Sequence, residues 1–174
     1  LFHRARRPVR SCRCLAHMPR GATGRLGLKV PTLELAFSAR LDFGEGPRVR
    51  FAPAGTTFTR GFVAVVGGEL SGPRLSGRVV PYSGGDWPRI WASGQVEFEA
   101  HYMLEANDGT PIYIHNRGIA WSDPAVMARV EAGESVDPGA TYCRITPRFE
   151  APEGPHDWLN RTIFVGIAER QGAS

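Results

Sequence analysis

Asp86 and Trp87 stand side by side in SGGDWPRIWASG, residues 83–94, directly after a glycine pair that marks a turn. A carboxylate at a cavity rim has its pKa raised by burial, which suits it to moving a proton. An indole beside it would supply an aromatic wall. The plainer alternative is that Asp86 caps the turn through backbone amides and Trp87 plugs one end of the fold. Arg144 is the second candidate. It lies between Cys143 and Ile145 in an apolar strand pattern, and a guanidinium there needs a partner. The partner is either a ligand carboxylate or enolate gripped bidentately, or an ion pair with Asp86 or Glu99. Arg148 reads as structural. With Asp86 moving a proton and Arg144 holding oxyanion charge, the two would form a catalytic pair, provided both reach one interior opening.

Further candidates lie along one ribbon. Glu97, Glu99 and His101 fall at i, i+2 and i+4, so they share a face of a strand. Carboxylate plus imidazole suits acid–base work or metal binding; a solvated outer face is the competing reading. Tyr113 and His115 alternate on the returning strand and could flank the same region. Near the C-terminus, Trp158 is a wall or core residue, and Asn160 could orient a ligand carbonyl. His101, His115 and His156 show no close ligand spacing in sequence, so no metal is expected. A phosphate-cradling Gly-rich loop, a dinucleotide fingerprint and a GxSxG elbow are all missing. The single lysine, Lys29, lies near the N-terminus, which removes Schiff-base chemistry from the body. No cofactor is expected.

What positions these residues is a run of strands. In LELAFSARLDF, Leu33, Leu35, Phe37, Ala39, Leu41 and Phe43 alternate with polar residues, the period of a half-buried strand. FTRGFVAVVGGEL (58–70) is apolar on both faces in its middle. RLSGRVVPYS (74–83) is the next strand. QVEFEAHYMLEA (95–106) alternates cleanly, Asn107-Asp108-Gly109 is a strong hairpin turn, and TPIYIHNRGIAW (110–121) returns. Asp123 or Ser122 caps one short helix near 123–132, with Pro124 in its first turn and Gly133 at its end. TYCRITPRFE (141–150) and WLNRTIFVGIAE (158–169) supply the last strands. About eight to ten strands joined by hairpins predict an all-β, closed or nearly closed antiparallel barrel with room for one small ligand.

The charge is unevenly spread. Of 21 basic residues, eight precede residue 31, where no acid occurs; the remaining 13 face 17 acids. The body is therefore mildly acidic, and neither nucleic acid nor membrane is an expected partner for it. Residues 1–29 read as a disordered basic tail, 30–170 as a single barrel domain and 171–174 as a disordered end. Residues 1–17 fit translated upstream sequence or a fragment edge, with a transit peptide or an arm for an acidic partner as alternatives. Three cysteines make no disulfide framework, consistent with a cytoplasmic protein.

Four segments, GGELSGPRLSGRVVPYSGGDW, NDGTPIYIHNRG, YCRITPRFE and WLNRTIFVG, in order and in register, resemble the UPF0311 family, also known as the DUF3237 domain. The similarity runs from about Thr32 to Ala168. It implies a compact, lipocalin-like antiparallel barrel. Family members often carry an arginine in the ribbon where this chain has His101. The expectation is a small-molecule-binding barrel with a cavity walled by Trp87, Tyr113 and Trp158. Asp86 and Arg144 would isomerise, cyclise or hydrolyse a carbonyl- or carboxylate-bearing metabolite. A non-catalytic carrier or sensor, or a homo-oligomeric interaction module, is the alternative.

Overall fold

Alternation in the strand Gln95–Ala106 (β8) sorts its side chains. Phe98, Ala100, Tyr102, Leu104 and Ala106 are buried, and Glu97, Glu99, His101, Met103 and Glu105 between them are half-exposed. The apolar face turns inward because burying it removes hydrocarbon from water at about 25 cal/mol per Å². The same sorting, repeated strand by strand, closes the sheet on itself. The computed structural model describes residues 9–18, 32–45, 49–132, 134 and 136–171.

In chain order the other strands are Val9–Met18 (β1), Thr32–Phe43 (β2), Val49–Phe51 (β3), Phe58–Ser71 (β4), Gly77–Val79 (β5), Gly84–Asp86 (β6), Arg89–Trp91 (β7), Pro111–Ser122 (β9), Thr141–Glu150 (β10) and Phe164–Gln171 (β11). All pair antiparallel. Around the ring run β1, β11, β10, β9 and β8; then β5, β6 and β7 share one place between β8 and β4; β2 joins β4 back to β1. The result is a closed eight-stranded barrel. The hairpin turn at Asn107-Asp108-Gly109 forms as expected: Gly109 takes a positive φ of 83°, and the Asp108 carboxylate accepts from the Thr110 amide. The helix Pro124–Glu131 (α1) is capped by Asp123, whose side chain accepts from the Ala125 amide at 2.8 Å. The expected stop at Gly133 lies outside the described residues. No helix among the described residues is long and apolar enough to cross a membrane.

Side chains from every wall meet in the middle. Phe149 of β10 packs edge-on against Phe37 of β2 and Phe164 of β11. Tyr102 of β8 is buried in the same cluster as Cys12 and Cys14, which come from β1 half the ring away. An eight-stranded barrel is just wide enough for side chains to fill, and buried side chains of β1, β2, β4, β8, β9, β10 and β11 belong to one apolar cluster.

Two expectations need correction. The basic tail is not structureless throughout: residues 9–18 form β1, laddered to β2 on one side and β11 on the other. Arginines crowd this strand and mask its alternation: Arg13 points out while Cys12 and Cys14 point into the core. Residues 1–8, 19–31 and 172–174 lie outside the described part. Second, the six-residue apolar face of β2 is broken. Cys14 pairs Phe37 but Leu15 pairs Leu35, so Ala36 is an extra residue. This bulge reverses the alternation. Ala36, Phe37, Ala39, Leu41 and Phe43 are buried, while Leu33 and Leu35 turn to the surface.

Candidate functional site

Asp86 and Trp87 lie on opposite sides of the barrel wall. Successive strand residues point to opposite faces, and Asp86 pairs Ala100, which faces inward. Asp86 is 4% exposed, inside the barrel near Tyr102. Trp87 lies on the outside, against the ring of Phe62 and edge-on to His101. Arg144 is also outside, since Cys143 takes the inward direction. Its guanidinium lies over the Tyr142 ring and donates to the Cys143 carbonyl. Asp86 and Arg144 therefore share no opening, and the expected interior pocket walled by Trp87, Tyr113 and Trp158 does not form. The wall itself separates the two polar groups.

The structure gathers a different set on the outer face. His101 of β8 stands directly opposite His115 of β9, and their imidazoles stack at 4.2 Å with an interplanar angle of 14°. His115 Nε2 is 2.8 Å from Glu99 Oε1, and His101 Nε2 is 3.8 Å from the same oxygen. On the far side, His101 Nδ1 is hydrogen-bonded to the Tyr113 hydroxyl. Burial by itself pushes the Glu99 carboxyl up, but the His115 hydrogen bond, with the charges of His115, Arg117 and His101, outweighs it. The net effect lowers Glu99 below the ordinary carboxylate value, so it stays ionised.

Glu99 also borders a surface groove of about 360 Å³. Cross-strand rows build it: Arg89, Glu97, Ile119 and Arg144 form one outward row across β7 to β10, and Glu99, Arg117 and Thr146 form the next. Trp87, Tyr142 and Arg60 also line it, with Arg60 donating to the Trp87 carbonyl. Gly118 forms part of the floor. A Cβ there would collide with the Phe98 ring and come within 2.8 Å of the Arg144 carbonyl oxygen, so the close approach of Phe98 to β9 requires glycine.

Trp87, Glu99, His101 and Tyr113 are thus brought together as expected, though on the outside. Trp158 and Asn160 are not. Both sit in the 3-10 turn Asp157–Arg161, where Trp158 packs between Arg74 and Phe164 and Asn160 clasps Ala151 through both backbone groups. His156 pairs with Asp108. His115 flanks the same region as Tyr113, as expected; Arg117 and Tyr142 border the groove without having been singled out in the sequence. Counting outward from the Asn107–Gly109 turn would have placed His115 against His101, because hairpin register follows from turn length.

Comparison with known proteins agrees with this architecture. A UPF0311 protein of Rhodopseudomonas palustris strain TIE-1 is 34% identical over 141 residues, covering 81% of this chain and 91% of that one. A β-barrel-like protein of Acinetobacter baumannii superposes with a TM-score of 0.63 at 29% identity, over 77% of this chain and 85% of that one. A protein of unknown function from Clostridium acetobutylicum gives a TM-score of 0.63 at 25% identity, over 79% and 97%. Residues 31–174 match the family described as "Protein of unknown function (DUF3237)", and with a shared barrel and curated relatives at this identity, the chain belongs to that UPF0311/DUF3237 family.

Proposed function

We propose that the protein binds a small carbonyl- and carboxylate-bearing molecule in the outer groove and moves a proton on it with the Glu99–His115 pair. The observation that carries this reading is that Glu99 belongs to two arrangements at once. It hydrogen-bonds His115, and it lines the groove that Arg117 and Arg144 also line. Four guanidiniums, of Arg60, Arg89, Arg117 and Arg144, face two carboxylates, of Glu97 and Glu99. That excess favours an anion. Arg144 spends one N–H on a carbonyl, leaving four of its donors for a carboxylate or enolate oxygen. Trp87 and Tyr142 offer aromatic walls to a ring. An ionised carboxylate against an imidazole is a general base whose proton has a place to go, and the arginines would hold the enolate charge that forms. No cofactor is needed for such an isomerisation or cyclisation. Three cysteines, none in a disulfide, fit a cytoplasmic setting.

Phenylpyruvate, an enolisable α-keto acid, is a suitable probe. In deuterated buffer the wild-type protein should speed exchange of its methylene protons, followed by NMR. Glu99→Gln should slow the catalysed exchange by about a hundredfold, within the usual range for a general base. Arg144→Ala should mainly raise KM, by about tenfold. Binding without any catalysed exchange would instead assign the groove to a carrier or sensor, and absence of binding across a panel of aromatic keto acids would remove the reading.

A further inference from the structure

We propose that Glu99, His101 and His115 form a binding site for one divalent ion of the zinc class. Their placement is a property of the hairpin: Glu99 and His101 alternate on the outer face of β8, and register sets His115 across from His101. One donor atom from each lies within 4.8 Å of the other two. Glu99 Oε1 is 2.8 Å from His115 Nε2 and 3.8 Å from His101 Nε2. Around a tetrahedral ion with bonds of about 2.0–2.2 Å, donor atoms lie roughly 3.3 Å apart. The observed separations bracket that value. Small side-chain rotations that open the imidazole stack complete the geometry, and half-exposed side chains can make them.

The surroundings suit a metal better than chance proximity would. His101 Nδ1 is hydrogen-bonded to the Tyr113 hydroxyl, which anchors the ring with Nε2 on the side of Glu99; a ligating histidine is usually held in this way by its second nitrogen. Trp87 fixes the same ring from the side. Two imidazoles and one carboxylate with a fourth position open to the groove is a zinc-class donor set. The groove's arginines stand beyond Glu99, where they would meet an anion bound to the ion.

The ion would use the lone pairs that proton transfer uses, so the two roles alternate at one cluster. Metal binding is accordingly tested without any organic ligand, and its failure would leave the groove's ligand binding untouched. Full-length protein is titrated with zinc chloride by calorimetry, and with cobalt chloride by visible absorption. One equivalent should bind, with a cobalt spectrum of tetrahedral nitrogen and oxygen ligation and no thiolate charge-transfer band. His115→Ala, His101→Ala and Glu99→Gln should each weaken zinc by at least tenfold, and Tyr113→Phe by several-fold to tenfold. His156→Ala should bind zinc like the wild type. The melting temperature without metal checks that each variant folds. Zinc affinity unchanged in all three ligand variants, a thiolate band, or no binding to the folded wild type would overturn the site.

Discussion

A carboxylate at position 86 next to an indole at position 87 invites joint chemistry, and strand geometry forbids it. Consecutive residues diverge by half a turn, so Asp86 is committed to the interior and Trp87 to the outer groove. The consequence is separable behaviour. Asp86→Ala removes a buried polar group from among Tyr102 and the core of β6 and β8, and should cost about 1–3 kcal/mol of stability. It should leave a keto-acid ligand's Kd in the groove unchanged. Urea melts and a fluorescence titration of Trp87 would show the split; a folded Asp86→Ala protein that no longer binds would return Asp86 to the site. The sequence carried the candidates but not their sides. Alternation says which residues share a face, and apolar content says which face is inward. Applied strictly, both rules put Glu99, His101 and Tyr113 outside with Trp87, and Arg144 on the face opposite Cys143. What they do not supply is cross-strand register, and the His101–His115 stack depends on register alone.

Elements were legible where hydrophobic and polar residues alternate without interruption. The β8–β9 ribbon, its Asn107–Gly109 turn, α1 with its Asp123 cap, and β10 all sit where the pattern puts them. The pattern overran the start of the last strand, where Asp157–Arg161 form a 3-10 turn, and it misled in two further places. An extra residue at Ala36 inverts half of β2, and single-residue bulges leave no mark on composition. The other is β1, whose arginines disguise an inward row of Cys12 and Cys14. This strand closes the ring, with ten residue pairs to β2 and eight to β11. Removing residues 1–31 should therefore open the barrel, expose the edges of β2 and β11, and cost on the order of 5 kcal/mol or more, lowering the melting temperature by roughly 10–20 °C. The exposed edges should also drive association, visible by size-exclusion chromatography. A truncated protein that stays monomeric and melts where the full chain does would show that the barrel closes without β1.

At the scale of the molecule, the closed wall divides ionisable groups into two populations, and stability should record the division as pH changes. On the outside, the Glu99 carboxyl is lowered as described. The Arg78 hydrogen bond lowers Glu105, and the Thr110 backbone amide lowers Asp108. A group whose folded pKa lies below its unfolded one stabilises the fold above the unfolded value, 4.5 for Glu and 3.8 for Asp, and loses that contribution as pH falls through the folded value. These groups are exposed and solvent-screened, so the acid limb should be shallow. Inside, the Cys14 hydrogen bond and burial push the Cys12 thiol well up, and burial pushes the Tyr102 hydroxyl well up. Their sign is opposite. The unfolded chain ionises first, at 9.0 for the thiol and 10.0 for the phenol, so stability is complete below those values and falls as pH rises beyond them. Because both sit in the core, the alkaline limb should be the steeper one. Melting temperature measured from acid to alkaline pH should thus give a lopsided dome, and one of the four tyrosines should show phenolate absorbance only as the barrel unfolds. Tyr102→Phe should remove that delayed absorbance and flatten the alkaline limb above the ordinary phenol value. A Tyr102 that ionises while the barrel remains folded would mean that water reaches the interior, and that the middle of this barrel is a cavity after all.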